Sequence, residues 1–384
     1  MEDNPIYRIN WVDGMKMNKD HFLRLENSLL QSIAQSNTYC IANRNYGLVP
    51  IPGEKPFKIE LSVDGRHGTT ITILSCNAVT KGGYSIIINE EITRLLEQSS
   101  NTISCHKEWT DEKDGVYQVL LSVSPLERIA IGSADPEEEP VRKPFVIPKY
   151  RVSVVPMVDE QIEETGAFDL IIGLISVEKG IPTLQENYIP PCTTVKAHSD
   201  LFEIYQYLGG GLNTLEALSM KIIQKIYKKK QSNDLARMVL SISRDLQLYL
   251  SHAIPAYRIH DLNAEPTSMV SRLAGVARTL QGSVNMYAGT GKEILLTYLS
   301  EWCQLNQGEF EEVLTSVSQL DYKHYNIQTS IELLEKCNDV LVQLFRKLEE
   351  LEYIGKKSNS KLFVKEDVID EEPKNTTGKF FLEE

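Results

Sequence analysis

Residues 46 to 184 alternate apolar and polar positions in the way that is typical of half-buried β-strands. In the run from Phe57 to Val63, apolar side chains fall on every second position. Further runs rich in β-branched residues follow, separated by turn signals such as Asp64-Gly65 and Gly82-Gly83. The other predicted strands are 69–76, 84–88, 116–123, 151–155 and 170–177, with a short helix at 90–98. Short strands at this spacing predict an antiparallel β-sandwich, which we place at residues 46–198.

A helix is predicted ahead of this β region. Asn18 is a good N-cap, because its short polar side chain can accept a hydrogen bond from the first turn. Four apolar residues then follow on one helical stripe: Phe22, Leu25, Leu29 and Ile33. A stripe of this kind is expected to be buried. We therefore assign residues 1–45 to an N-terminal arm and helix that pack on the β domain.

From residue 199 onward the apolar positions recur with the period of helices. Asn233 or Asp234 can cap one of these helices, and Pro266 suits the first turn of another. Gly209-Gly210-Gly211 lies inside the first helical segment and predicts a break or kink there. We assign residues 199–355 to an α-helical bundle. The expected fold class is thus α+β and multidomain, with the β-sandwich preceding the bundle.

The last helix, at about 328–354, has the most regular pattern. Its apolar residues are spaced 3, 4, 3, 4 and 3 apart: Leu334, Cys337, Leu341, Leu344, Leu348 and Leu351. This is a heptad seam of less than three heptads. Two interpretations remain open at this point. The five leucines can pack within the chain's own bundle, or they can also contact a second chain and contribute to a trimer.

Charge and composition narrow the function classes. The chain of 384 residues has 40 basic and 53 acidic residues, a formal net charge of −13. Such a charge disfavours a general binder of nucleic acid, which needs a basic face. The six cysteines form no C-x-x-C pair, and no apolar run is long enough for a signal or a membrane span. We therefore expect a cytoplasmic protein without membrane insertion, and an acidic tail or reduced appendage at 356–384.

The sequence contains none of the common catalytic or metal-binding motifs, such as HExxH, GxSxG or GxGxxG. Ala288 to Glu293 resembles the end of a phosphate loop, but Met286 replaces its first glycine and Glu293 its Ser/Thr. The compact basic cluster of Lys225, Lys228, Lys229 and Lys230 is expected at the end of a helix, where lysines are favourable. We predict a protein that is not an enzyme and holds no cofactor and no metal.

The N-terminal segment from Ile9 to Phe22 has an unusual density of distinctive residues. Gly14 permits a turn between an extended start and the capped helix. Large apolar side chains flank this turn, and a His-Phe pair opens the helix. The candidate site residues are Trp11, Gly14, Met15, Met17, His21 and Phe22. Such an arm can pack on its own domain, or it can dock into another subunit or protein.

The run W-x-x-G-M-x-M-x-x-x-H-F from Trp11 to Phe22 resembles the opening signature of the TssK family, the trimeric baseplate proteins of type VI secretion systems. Asp13 precedes the glycine, as an acidic residue does in that family. Lys19 and Asp20 depart from the family pattern, which has Pro-Gln there. A weaker match lies at Val270 to Val276, which is similar to the Leu-Ala-Gly segment of the family's helical domain.

The resemblance implies a homotrimeric, non-enzymatic adaptor with phage shoulder-like β domains. Its N-terminal region, here the six candidate residues of the arm, would face the wedge proteins TssF, TssG and TssE. The helical domains would form the trimer, and a C-terminal domain would reach the trans-envelope complex at the inner face of the envelope. The end of this chain is shorter than that domain, a variation that suits Bacteroidetes-type systems. The identity of the envelope partner and the stoichiometry per wedge stay open.

Two other functions fit the same pattern. The first is a tail or baseplate component of a phage or another contractile injection system, with a different set of partners. The second is a carbohydrate-active protein, since β-sandwiches often bind or cleave sugars. A deep pocket with two carboxylates about 5–10 Å apart would favour the second function. A flat surface and a three-fold helical interface would favour the adaptor or the injection component.

Overall fold

The computed structural model describes residues 7–64, 68–109, 113–157 and 165–355. Antiparallel sheets occupy the first half of the chain and helices the second, which confirms the predicted α+β class. The predicted tail, 356–384, lies outside the described residues. One contiguous set of buried apolar side chains runs from the sheets into the helices, with Ile71 and Val119 at one end and Leu344 at the other. The boundary predicted at residue 198 falls between the last strand and the first bundle helix.

The first sheet has five strands, and the long strand β3 pairs with all four others in antiparallel fashion. Its strands are β1 (Gly47–Leu48), β2 (Phe57–Val63), β3 (Gly68–Val79), β4 (Ser85–Ile88) and β5 (Ser104–Glu108). The helix α2 (Glu90–Gln98) connects β4 to β5. Trp109, just beyond β5, is fully buried and donates its indole N–H to Thr69 Oγ1 at 3.0 Å.

The second sheet has four antiparallel strands in the order β7-β6-β8-β9. They are β6 (Gly115–Ile131), β7 (Phe145–Pro156), β8 (Asp169–Glu178) and β9 (Ile181–Leu184). Six consecutive residues of β8, from Leu170 to Ile175, are buried, so this strand is covered on both faces. The strands predicted from alternation are all present. Three further strands, β1, β5 and β9, have two to five residues each and are too short for a periodic pattern to identify.

Helix α1 (Lys19–Thr38) precedes the sheets, and six helices form the bundle. These are α3 (Ser199–Lys228), α4 (Asp234–Ile259), α5 (Pro266–Asn285), α6 (Lys292–Cys303), α7 (Gln307–Ser318) and α8 (Ile327–Glu350). The predicted capping is confirmed, because Asn233 accepts a hydrogen bond from Ala236 N–H at 2.8 Å and Pro266 is the first residue of α5. The six cysteines are free thiols, and four of them are buried.

The prediction of a break at Gly209-Gly210-Gly211 is wrong, because α3 continues through all three glycines. Two of the three, Gly209 and Gly211, have a steric role. A Cβ on Gly211 would overlap the side-chain amide of Asn338 in α8, and a Cβ on Gly209 would lie 2.9 Å from the ring of Tyr257 in α4. Two glycines on a helix therefore allow its neighbours to approach closely, at a cost in helix propensity that the packing offsets.

Candidate partner-binding surface

The described part of the N-terminal arm, residues 7–18, contains a tight turn centred on Gly14. Met15 N–H donates to the carbonyl oxygen of Val12 at 3.2 Å, which closes a four-residue turn. Gly14 has φ of +77°, the value that the third position of a type II turn requires. A Cβ there would meet nothing within 4 Å, so the backbone angle and not the available space favours glycine.

Asn18 and His21 form a capping box at the start of α1. His21 N–H donates to Asn18 Oδ1 at 3.1 Å, and Asn18 N–H donates to His21 Nδ1 at 3.3 Å. The ring of Trp11 contacts the His21 ring edge-on, with centroids 6.1 Å apart. The structure therefore brings Trp11, Gly14 and His21 together in one local unit. This unit fixes the arm against the first turn of the helix.

The large apolar side chains of this unit are accessible. The exposed fraction is 45% for Trp11, 62% for Met17 and 50% for Phe22, while Met15 is half-buried. A backbone fixed by a turn and a capping box thus presents three bulky apolar side chains outward. We call Trp11, Met17 and Phe22 the arm patch. Exposed apolar side chains grouped in this way are typical of protein–protein contact sites.

The expectation that the stripe of α1 is buried is wrong. Phe22, Leu29 and Ile33 are exposed, and Leu25 is half-buried. The helix instead packs on the β domain through small residues, with Ser28 and Ala34 buried. Small residues allow the helix to approach the sheet closely, and a Cβ on Gly83 would clash with the Ala34 carbonyl. Periodicity alone gives the spacing of the stripe, but not which face of the helix meets the sheet.

Polar contacts hold α1 in this orientation. Arg128 in β6 donates to Glu26 Oε2 at 2.5 Å and to Asn27 Oδ1 at 2.6 Å. Near the other end of the helix, Asn37 Nδ2 donates to the Gly83 carbonyl at 2.8 Å. Arg128 lies about a hundred residues from its partners in sequence, so no local pattern could have identified it. These contacts make α1 a fixed part of the β domain.

Four cations lie in the same segment as the arm patch. Arg8, Lys16, Lys19 and Arg24 are exposed, and none of them forms an ion pair within the described chain. Asp13 and Asp20 are the unpaired acids of the same segment. Glu2 and Asp3 precede the described residues, so residues 1–24 hold four cations and four acids in a chain whose net charge is −13.

The leucines of the predicted heptad seam lie in the helical bundle and not beside the arm patch. Leu334, Leu341, Leu344 and Leu348 are each at most 4% exposed, and Leu351 is half-buried against the same core. Their helix α8 packs on α3, α5, α6 and α7 of its own chain. This seam is thus used within the bundle, far along the chain from the arm patch.

Two small spaces lie within the helical bundle. A cavity of about 20 Å³ inside the bundle is lined by apolar residues and Ser243, which leaves room for about one water molecule. A cleft of about 90 Å³ between α5 and α7 holds one carboxylate, Glu311, which pairs with Lys292 at 2.7 Å. Among the residues described, no three potential metal ligands cluster, and no helix is long and apolar enough to span a bilayer.

Comparison with solved structures finds similarity to proteins of type VI secretion systems. A crystal structure of TssK is 13% identical, with a TM-score of 0.48 over 88% of this chain and 69% of that one. A structure of the baseplate complex from the type VI secretion system is 16% identical, with a TM-score of 0.49 over 88% of this chain and 99% of that one. A cryo-electron microscopy structure of a TssK-TssF-TssG baseplate subcomplex is 14% identical, with a TM-score of 0.43 over 90% of this chain and 100% of that one.

No family model matches the chain, and the curated proteins give no match. The chain is similar in fold to the structures above. This similarity concerns the fold alone.

Proposed function

We propose that this chain is a non-enzymatic structural adaptor of a type VI secretion baseplate. It assembles as a homotrimer and joins the wedge proteins TssF, TssG and TssE to the trans-envelope complex. It acts in the cytoplasm, at the inner face of the cell envelope. One observation carries the proposal: the residues that resemble the TssK opening signature form an ordered surface whose apolar members Trp11, Met17 and Phe22 are exposed.

The arm patch suits a docking role, because little conformational entropy is lost in ordering its backbone when a partner binds. The turn at Gly14 and the capping box of Asn18 and His21 already fix the backbone. A partner that covers Trp11 and Met17 therefore gains apolar burial without first ordering the segment. Aromatic and Met side chains are enriched at such contacts. We assign the arm patch to the wedge proteins.

The contacts at the end of α8 support a second assignment. Lys225 Nζ donates to the carbonyls of Leu348 at 3.3 Å, of Glu349, and of Leu351 at 2.8 Å. Gln231 and Asn233 hold the main chain of Ile354. The main chain is therefore held firmly up to the end of the described residues at Gly355, and we assign residues 356–384 to the contact with the trans-envelope complex.

Co-expression tests the proposal. The full chain is produced with the TssF-like and TssG-like proteins of the same secretion system and isolated through a tag on this chain. The adaptor function predicts a stable complex that contains both wedge proteins. A complex with tail proteins of another injection system in their place would favour that alternative, and a monomer that captures neither wedge protein would contradict the proposal.

A further inference from the structure

The second half of α3 has a face that the rest of the described chain leaves exposed. Met220 and Tyr227 are 39% and 58% exposed, and they lie seven residues apart, which puts them on one side of the helix. Lys221 and Lys228 follow them by one residue each and are also exposed, as is Lys230 just beyond the helix. We call Met220, Lys221, Tyr227, Lys228 and Lys230 the lysine face. It combines two bulky apolar side chains with three cations.

The charge of the lysine face is not neutralised by the described part of the chain. Residues 217–233 contain five lysines and no acidic residue. Two of the five are engaged at the end of α8, Lys225 with main-chain carbonyls and Lys229 with Glu352 at 3.4 Å. The other three, those of the lysine face, form no ion pair among the residues that the structure describes. A segment that supplies carboxylates around an apolar centre would complement this face.

A segment of the same chain has this composition. Residues 366–372, which lie outside the described residues, have the sequence Glu-Asp-Val-Ile-Asp-Glu-Glu. Five carboxylates thus flank two apolar side chains, Val368 and Ile369. Four lysines precede this run, between residues 356 and 365, and none lies within it. Its acidic residues and its apolar centre match the three cations and the two apolar side chains of the lysine face.

The place where the described chain ends brings this segment near the lysine face. Glu352, which pairs with Lys229, lies three residues before Gly355. Glu366 is eleven residues beyond Gly355, a length that spans at most about 40 Å. The part of the lysine face that lies on α3 is about 12 Å long. A segment tethered at this range meets the surface at a high effective concentration, so even a weak contact is occupied.

We propose that residues 366–372 bind the lysine face of their own chain, with the two apolar side chains against Met220 and Tyr227 and the carboxylates paired with the three lysines. This contact would hold the tail on the end of the bundle and leave residues 373–384 for another partner. Only the identity of that partner, the trans-envelope complex, rests on the proposed function. The contact itself lies within one chain and is testable on the purified protein alone.

Disulfide formation in the full-length chain tests the contact. The background is Cys40→Ser, which removes the exposed thiol. Pro373→Cys places a thiol directly after the acidic segment, and Gln224→Cys places one between Met220 and Tyr227 without altering either. Each rate is divided by the rate at which the helix thiol reacts with a small neutral disulfide, because nearby lysines lower the pKa of a thiol.

The matched control pairs Pro373→Cys with Ile294→Cys on α6. Ile294 is 61% exposed and lies one turn from Tyr298, whose hydroxyl accepts from Gly355 N–H at 3.2 Å, so it too is near the start of the tail. The intrachain disulfide is expected to form about tenfold faster with Gln224→Cys than with Ile294→Cys. Equal rates would overturn the inference. A disulfide-linked dimer in place of the intrachain product would also overturn it, because the occupant would then be a second copy.

Charge reversal shows whether the lysines direct the contact. Lys221→Glu with Lys228→Glu is expected to lower the rate at Gln224→Cys to that of the control. Lys16→Glu with Lys19→Glu makes the same change in net charge on the N-terminal arm and is expected to leave the rate unchanged. An unchanged rate in the first variant, or an equal loss in both, would overturn the inference. A chain that forms the intrachain disulfide but captures no wedge protein would contradict the proposed function and leave this contact in place.

Discussion

His324 Nε2 lies 2.8 Å from the main-chain carbonyl oxygen of Tyr46, a residue 278 positions earlier in the chain. A carbonyl only accepts hydrogen bonds, so Nε2 carries the proton. The other nitrogen, Nδ1, then accepts from the hydroxyl of Tyr322 at 2.8 Å. This buried histidine ties the residue just before β1 to the short segment that precedes α8. The sheet region and the bundle are therefore joined by a specific polar contact as well as by apolar packing.

The first prediction concerns pH. Burial lowers the pKa of His324 from its ordinary 6.5 to about 4, although Glu265 nearby acts in the opposite direction. The unfolded chain takes up this proton below about pH 6.5, while the folded chain does not. His324 therefore makes its full contribution to the free energy of unfolding above pH 6.5. This contribution decreases by about 3 kcal/mol as the pH falls towards 4.

Urea unfolding of the wild type and of His324→Gln between pH 7.5 and pH 4 measures this effect. The variant is expected to be less stable by about 1–2 kcal/mol at pH 7.5, because glutamine replaces only part of the contact. Its stability should fall less steeply with pH than that of the wild type. Parallel pH profiles would show that His324 is not the titrating group.

Gly210 and Gly211 of α3 provide a matched pair of substitutions. Gly211→Ala is expected to destabilise the chain by about 1–3 kcal/mol, because its Cβ would overlap Asn338. At Gly210 a Cβ meets nothing within 4 Å, so Gly210→Ala is expected to stabilise α3 by about 0.5–1 kcal/mol. Thermal or urea unfolding checks both signs. An equal loss at the two positions would mean that α3 needs flexibility at these glycines and not close packing.

These glycines also illustrate what the sequence could predict and what it could not. Strands, helices and caps depend on local patterns, and so the alternation from Phe57 to Val63 and the cap at Asn233 were predicted. The packing of one element on another depends on residues far apart in the chain. The contact of Gly211 with Asn338 and that of Arg128 with Glu26 have no local signal.

The candidate site also has some features that the sequence predicted and others that it did not. The residue types and spacing from Trp11 to Phe22 identified the segment, and the turn at Gly14 followed from its backbone freedom. The sequence did not determine which face of α1 is exposed, because Ser28 and Ala34 give no apolar periodicity. The orientation of the helix therefore became clear only from its contacts with Gly83 and Arg128.

Lys225 is predicted to stabilise the end of the bundle. It is partly buried and donates to three main-chain carbonyls at the end of α8, a helix end that favours a cation. Lys225→Met is expected to cost about 1–2 kcal/mol in the free energy of unfolding. Lys228→Met, an exposed position on the same helix, is the control and is expected to change little. Equal effects of the two variants would show that general charge, and not this contact, matters.

Arg128 is predicted to hold α1 on the β domain. Arg128→Met removes the contacts with Glu26 and Asn27, so the amide protons of α1 should exchange with solvent faster. The control is Arg142→Met, which breaks an exposed pair with Glu138 and should leave α1 unchanged. Hydrogen exchange followed by mass spectrometry resolves the two regions. Unchanged protection of α1 in Arg128→Met would show that Ser28 and Ala34 suffice to hold the helix.

The central claim is that the arm patch binds the wedge proteins, and one affinity comparison tests it most directly. Met17→Ser and Met286→Ser alter methionines that are 62% and 65% exposed, one in the arm and one at the end of α5. The dissociation constant of each variant for a purified TssF–TssG-like wedge is measured beside that of the wild type. The account predicts an increase of about tenfold for Met17→Ser, as expected for the loss of about 1.4 kcal/mol of apolar contact, and no change for Met286→Ser. Wild-type affinity in the Met17→Ser variant, or an equal loss in both, would contradict it.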